Sequence, residues 1–463
     1  MAESCETCME RRFLTPGAGV WYSSDRKNRK VGPSMKKDKR FYLALVIFCL
    51  TGQVAWTVEN MYFNVFIYKM FHASASDISL MVAASAVAAT VTTLLIGALS
   101  DKVGKRKIFI SGGYIAWGIS IWSFSLIRVD VLSSFVPAAS AASLGVSLTI
   151  LMDCVMTFFG SSANDACFNA WLTDVSDDHD RGRIEGINAM MPLISILVVF
   201  GGFMSFDLDQ AGSWVTIFNI IGVLMIAIGI SGIWLIRDVP MQTGENQNYF
   251  ANIFYGFRPS VVTENRNLYL TLACVAVFNI SIQIFMPYLI LYYTEALGLD
   301  NYVLIFAPAI LIAAVFTGLY GRVYDTKGFQ TAIIPTLLAL MAGYVGLYFF
   351  RGTALVFIAS LVMMCGYLGT GAMLGAKVRT HTPANKSGMF QGLRIFAQVL
   401  IPGVIGPAIG AAVLKNAETV LNNDGTTSFI PNENIFLWAF VAGLFVWLVL
   451  LPLFGGKEKE NAA

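Results

Sequence analysis

Gly97-Ala-Leu-Ser-Asp101-Lys-Val-Gly104-Lys105-Arg106 and Gly321-Arg-Val-Tyr-Asp325-Thr-Lys-Gly328 lie 224 residues apart in a chain of 463. Each places an Asp four residues after a Gly and another Gly three further on. Each also joins two long apolar stretches by a short polar turn. A second pair follows the same logic: Gly182-Arg-Ile-Glu185-Gly186 and Gly388-Met-Phe-Gln391-Gly392 each open an apolar stretch. Matched pairs in corresponding places imply a duplicated six-helix unit.

The apolar stretches around these turns are membrane-length. The chain is 56% hydrophobic and 13% charged, with a mean hydropathy of +0.66, whereas soluble domains average roughly 25% charged. A hydrocarbon core of ~30 Å demands about 20 apolar residues per helix. Spans are read near 41–68, 77–100, 107–128, 137–175, 184–206, 214–237, 268–293, 301–323, 330–350, 354–378, 388–415 and 433–454. Alternating polar and apolar residues do not recur, which argues against an outer-membrane barrel. With both termini inside, 27 of the 31 Lys and Arg fall on the inner side, leaving Lys69, Arg128, Arg351 and Lys415 outside. A thirteenth helix would destroy that asymmetry, so the positive-inside rule fixes the number at twelve.

The reading therefore is an all-α integral membrane protein with two pseudo-symmetric six-helix bundles, 41–237 and 268–454. They are joined by a cytoplasmic linker, 238–267, and flanked by a segment 1–40 and a tail 455–463 on the same side. Residues 1–34 are polar and punctuated by Gly and Pro, a composition that predicts no packed structure. Met35 followed by Lys36-Lys37-Asp38-Lys39-Arg40 resembles a natural start, and helix 1 reads as an uncleaved signal anchor. A bacterial-type inner membrane is the expected location. Five of the seven Cys lie in apolar segments; Cys5-x-x-Cys8 lacks a second Cys/His pair nearby, so no metal is expected.

An Asp beside a helix N-terminus accepts bonds from free backbone N–H groups and meets the positive end of the dipole. Asp101 is therefore expected to dock on the start of helix 11 and Asp325 on the start of helix 5, closing the cytoplasmic side. Gly104 allows the tight turn between them, and Lys105 or Arg106 is expected to pair with Asp174 at the end of helix 4. The plainer reading is that the basic residues only set topology.

These residues resemble a known group. Gly97, Asp101, Gly104, Lys105 and Arg106 match the loop 2–3 signature of the major facilitator superfamily, with Lys102 in the usual Arg position, over residues of about 40 to 455. The resemblance implies two six-helix bundles, a central cavity and alternating access. Asn164-Asp165-Ala-Cys-Phe168, leading into Thr173-Asp174 and Asp177-Asp178-His179-Asp180-Arg181, is similar to helix 4 of the glycoside–pentoside–hexuronide:cation symporters. There an intramembrane Asp with an aromatic three residues on contacts the sugar, which implies that role for Asp165. Cys167 replaces the family's proline. Ala89, Thr90, Thr92 and Thr93 stand where that family carries paired acids, so its sodium site does not carry over and the coupling ion is H⁺ or Na⁺.

Ionisable groups in hydrocarbon cost at least ~2.5–3.5 kcal/mol and are candidates for function. Glu59 lies well inside helix 1, in Trp56-Thr-Val-Glu59-Asn60, and Asp153 and Asp165 lie inside helix 4. On a 3.6-residue period, Asp153, Thr157, Gly160 and Asn164 share a face, with Asp165 and Asn169 beside it. Glu59 and Asp153 are the candidates for cation coupling, because a desolvated carboxyl can take up and release a proton as its cavity changes sides. The substrate candidates are Asp165, Asn164, Asn60, Trp56, Asn279, Gln283 and Gln398, polar and aromatic groups suited to a hydroxyl-rich ligand. Arg394, on a face with Gln391 and Gln398, is a gate or ligand residue. Tyr292 and Tyr293 read as an interfacial belt.

Sugar or glycoside symport with a cation, H⁺ foremost, is the leading reading; proton-coupled export of amphipathic compounds or lipids is the alternative. The expected partners are a small solute and membrane lipid, without nucleic acid, in a monomer. An enzyme is not expected, since His72, His179 and His381 all sit near loops without metal-ligand spacing.

Overall fold

The computed structural model describes residues 39–176, 181–238, 255–382, 387–422 and 425–454. The segment 1–38, most of the linker and the tail 455–463 lie outside them. So do the side chains of Gly182, Glu185, Gly388 and Gln391.

Among the described residues, eleven helices are long and apolar enough to cross a membrane. These are α1 Lys39–Phe71, α2 Ala75–Val103, α3 Arg106–Leu126, α4 Ser140–Val175, α5 Arg181–Phe203 and α6 Ala211–Leu235 in the first half. The second half begins with α7 Arg266–Ala296 and a continuous 48-residue helix, Tyr302–Phe349. That helix bends at Gly328, which alone leaves helical geometry (φ 80°, ψ 172°), and so supplies two crossings, α8 (302–327) and α9 (329–349). Then come α10 Thr353–His381, α11 (387–414) and α12 Asn434–Phe454. Twelve crossings result. The expected loop 324–329 is one residue, because nothing from Arg322 to Lys327 breaks a helix and Gly328 supplies the left-handed φ by itself.

Local chemistry sets the other turns. Ser74 and Asp77 form a reciprocal capping box at the start of α2. Gly104, at φ 70°, ends α2 in the left-handed region, and α3 starts two residues later. Both ends of the described chain lie on one side, the terminal face. The other side carries a small antiparallel hairpin, β1 Thr419–Leu421 with β2 Thr427–Phe429, and is the hairpin face. Leu80, Ile108, Leu151, Ile220, Leu311, Leu338 and Leu448 stand exposed around the bundles, a surface suited to lipid.

Among the described residues, four stretches widen to π-helix: Val58–Tyr62 in α1, Ser161–Phe168 in α4, Tyr292–Ala296 in α7 and Phe396–Leu400 in α11. The expected aromatic belt at Tyr292 and Tyr293 is corrected here. Both are buried, Tyr292 donating to the Leu347 carbonyl at 3.2 Å and Tyr293 bonding Ser360; internal hydroxyl partners, not headgroups, satisfy them.

The two halves are fastened at the hairpin face. The Tyr302 hydroxyl donates to the Tyr62 oxygen at 2.9 Å, and Tyr288 donates to the Ala75 carbonyl at 2.9 Å. Lys69 at the end of α1 reaches Glu295 on α7 at 2.6 Å and Asp209 at 2.7 Å. Tyr68 donates to the Phe429 carbonyl at 2.6 Å, tying the hairpin over α1. Within the second half, α9 and α10 meet through Gly366, where an added Cβ would lie 2.1 Å from the Leu340 nitrogen. That neighbour is backbone and cannot swing away. Gly366→Ala should therefore lose about 1–3 kcal/mol to overpacking, read as a fall of several degrees in unfolding temperature in detergent; an unchanged melting curve would refute this close packing.

Candidate functional site

Between the halves lies a cavity of about 270 Å³. Its polar lining is Trp56, Glu59, Asn60 and Asn64 from α1, Ser85 from α2, Asp153, Thr157 and Asp165 from α4, Gln283 of α7 and Gln398 of α11, with Met81, Val82, Ala86, Ala89, Val399 and Gly403 between them. Three of the four π segments deliver residues to it, namely Glu59 and Asn60, Asp165, and Gln398. A π turn re-aims side chains off the 3.6-residue stripe, and such bulges gather at functional sites.

Glu59 is 8% exposed. Its Oε1 lies 2.6 Å from Ser85 Oγ and 2.9 Å from Thr157 Oγ1, while Oε2 makes no hydrogen bond. Asp165 accepts from Ser161 at 3.1 Å and from the Asn164 amide at 3.2 Å. Asn164 in turn has its Oδ1 3.0 Å from the Tyr114 hydroxyl, so it positions Asp165 from behind the wall. Asn60 and Asn64 each donate back to the carbonyl four residues earlier, at 2.7 and 3.0 Å. Trp56 packs on Trp117 with ring centroids 5.0 Å apart. Four of the residues lining this cavity each hold one buried polar atom that makes no close hydrogen bond: Trp56 Nε1, Glu59 Oε2, Asn64 Oδ1 and Asp153 Oδ1. Native proteins rarely leave such groups unpaired without a role.

A family model described as the Major Facilitator Superfamily matches residues 41–407. The chain belongs to that superfamily. It is a transporter, not an enzyme. No curated protein sequence matches this facilitator significantly. Among solved structures it is similar to a mutant of the nucleoside transporter NupG, at 12% identity and TM-score 0.68, covering 89% of this chain and 100% of that one. It is also similar to the xylose transporter XylE from E. coli in a partially occluded inward-open conformation, at 14% identity and TM-score 0.66, covering 91% and 100%. A D-xylose–proton symporter matches at 14% identity and TM-score 0.64, covering 88% and 97%. At these identities the likeness is one of fold.

Within this facilitator the cavity brings together Trp56, Glu59, Asn60, Asp153, Asp165, Gln283 and Gln398. Asn279 is half-buried on α7 and lies outside the lining. Arg394 stands behind the wall, donating from Nε to Gln398 at 3.1 Å. Ser85 was not singled out from the sequence; it lies one helical turn before Ala89, where α2 offers a hydroxyl instead of an acid.

At the terminal face one of the two expected basic residues meets Asp174. Arg106, not Lys105, reaches Asp174, with Nε 3.1 Å from Oδ2, and the same guanidinium bonds Asp101 and Ser100. Lys105 is exposed. Asp101 therefore ties α2 to α3 and α4 within its own half. Asp325 is exposed at the end of α8. The starts of α11 and α5, on which these two were expected to dock, lie partly outside the described residues. The acid that meets a helix start is Asp238, accepting from the Lys107 backbone at 2.8 Å.

Proposed function

We propose that this facilitator is a proton-driven symporter of a small hydroxylated solute, a sugar or glycoside, and that the cavity between its halves binds both. The observation that carries this is the set of unpartnered buried polar atoms on Trp56, Glu59, Asn64 and Asp153 around one cavity. They offer donors and acceptors together, as a hydroxyl-rich ligand requires, and Trp56 offers an apolar face. Asp165, held by Ser161 and Asn164, is the carboxylate that accepts cargo hydroxyls. Glu59 and Asp153 serve the coupling ion. Solved structures of the same fold include a protein titled a D-xylose–proton symporter, which supports the sugar reading.

The inner-side excess of Lys and Arg supports a terminal face turned to the cytoplasm of a bacterial-type membrane; on that reading the conformation described is closed to the outside. A monomer suffices, since the cavity is complete within one chain. The test is uptake into vesicles under an imposed pH or Na⁺ gradient. Accumulation of a sugar driven by pH supports the proposal; pH-driven extrusion of amphipathic compounds with no sugar uptake would favour the exporter.

Asp165→Asn should weaken cargo binding at least tenfold, since a hydrogen bond to a charged group contributes about 1.5–3 kcal/mol. The amide also sets donors against the Ser161 and Asn164 donors. Thermal-shift titration with sugars reads this, and wild-type affinity in the variant would remove Asp165 from the site.

A further inference from the structure

The hydroxyls around Glu59 pose a hydrogen count that an anion does not satisfy. Ser85 Oγ lies 2.6 Å from Glu59 Oε1, Thr157 Oγ1 lies 2.9 Å from the same oxygen, and the two hydroxyl oxygens are 2.8 Å apart. These are three hydrogen-bond contacts in a nearly equilateral triangle, and each needs one hydrogen. A Ser and a Thr supply two, and an ionised carboxylate supplies none. If both hydroxyls point to Glu59, their own oxygens face each other with lone pairs only.

We propose that Glu59, Ser85 and Thr157 form a closed proton-holding ring that binds the coupling ion as H⁺. Glu59 carries the proton on Oε1 and donates to Ser85, Ser85 donates to Thr157, and Thr157 donates back to Glu59. The shortest contact, 2.6 Å, belongs to the acid donor. This rests on the symport reading and adds Ser85 and Thr157 to the residues that select the ion.

The ring sits where a proton can be exchanged. Glu59 and Asp153 both line the cavity, and each holds one buried carboxylate oxygen, Oε2 and Oδ1, that makes no hydrogen bond. The groups facing Glu59 are Ser85 from α2, Asp153, Thr157 and Asp165 from α4, Gln283 from α7, and Gln398 from α11 with Arg394 bonded behind it. On release, the Glu59 O–H bond breaks and the proton passes to cavity water. One contact of the triangle then lacks its hydrogen, so Ser85 and Thr157 repel and the junction of α1, α2 and α4 loosens.

Infrared spectroscopy of the purified full-length protein tests this without cargo. At neutral pH a carbonyl stretch of a protonated carboxylic acid should be present, vanish in Glu59→Gln, and shift in frequency in Ser85→Ala and Thr157→Val. Thr157→Ser, which keeps the hydroxyl, should leave it in place and controls for folding. An acid band indifferent to Glu59→Gln overturns the ring, as does a Glu59 band that sodium chloride abolishes at constant pH. A protein that shows the band and its shifts, yet accumulates no sugar under a pH gradient, keeps the ring and loses the sugar-symport reading instead.

Discussion

Glu59→Gln is expected to abolish uphill accumulation of cargo while leaving exchange of cargo across the membrane intact. The amide has the size of the acid and remains neutral, so it imitates the protonated state permanently. With its nitrogen at the site of Oε1, the amide donates to both Ser85 and Thr157, so each contact of the triangle keeps a hydrogen. A one-proton symporter working against a gradient of one pH unit has about 1.4 kcal/mol available, which sustains roughly tenfold accumulation. Without a titrating group on the coupling path that ratio should fall to one. Radiolabelled uptake under a pH gradient measures the loss, and counterflow with internal cargo measures what is kept. A variant that still concentrates cargo would move coupling away from Glu59, with Asp153 the next residue to replace.

The fold was legible because a bilayer leaves the chain few choices. Apolar length, the K/R asymmetry and the two Gly-x-x-x-Asp turns each point to twelve crossings in two halves, and each follows from the solvent more than from packing. The same periodic reasoning found Glu59, Asp153 and Asp165, since a charge in hydrocarbon is conspicuous. It could not show how they are aimed. The π segments at Val58–Tyr62 and Ser161–Phe168 have no signature in hydrophobic spacing, so the face drawn through Asn164 missed that this amide supports Asp165 from behind. Ser85 was hidden for a different reason. One hydroxyl in a helix of Ala, Ser and Thr has no contrast until Glu59 is seen 2.6 Å away. The turn signature places Asp101 beside Arg106 in sequence, yet the spacing alone does not show that the guanidinium five residues on bonds both it and Asp174. The tie at the other face joins residues 226 apart in sequence, Lys69 and Glu295, and no local pattern announces it.

That tie carries the second large effect: Lys69→Glu should open the hairpin face and cut transport at least tenfold. The Lys69 side chain is 18% exposed and Glu295 23%, so their ion pair is partly withdrawn from solvent, whereas Asp209 at 70% is screened and contributes little. Reversing the charge sets a carboxylate against Glu295 at the joint between α1 and α7. Like charges brought together at an interface cost several kcal/mol, and a two-state equilibrium shifts tenfold for each 1.4 kcal/mol of differential stabilisation. A state open at the hairpin face relieves the repulsion; the state closed there does not. Spin labels at the exposed Asp207 and Asp300 should report a longer separation in the variant. The combined swap Lys69→Glu with Glu295→Lys restores opposite charges across the joint and should recover the short separation and most of the transport, since only the screened Asp209 is left mismatched. If the swap performs no better than the single change, the effect comes from lost packing around Lys69, and the halves are held at this face by Tyr62–Tyr302, Tyr288 and the hairpin instead.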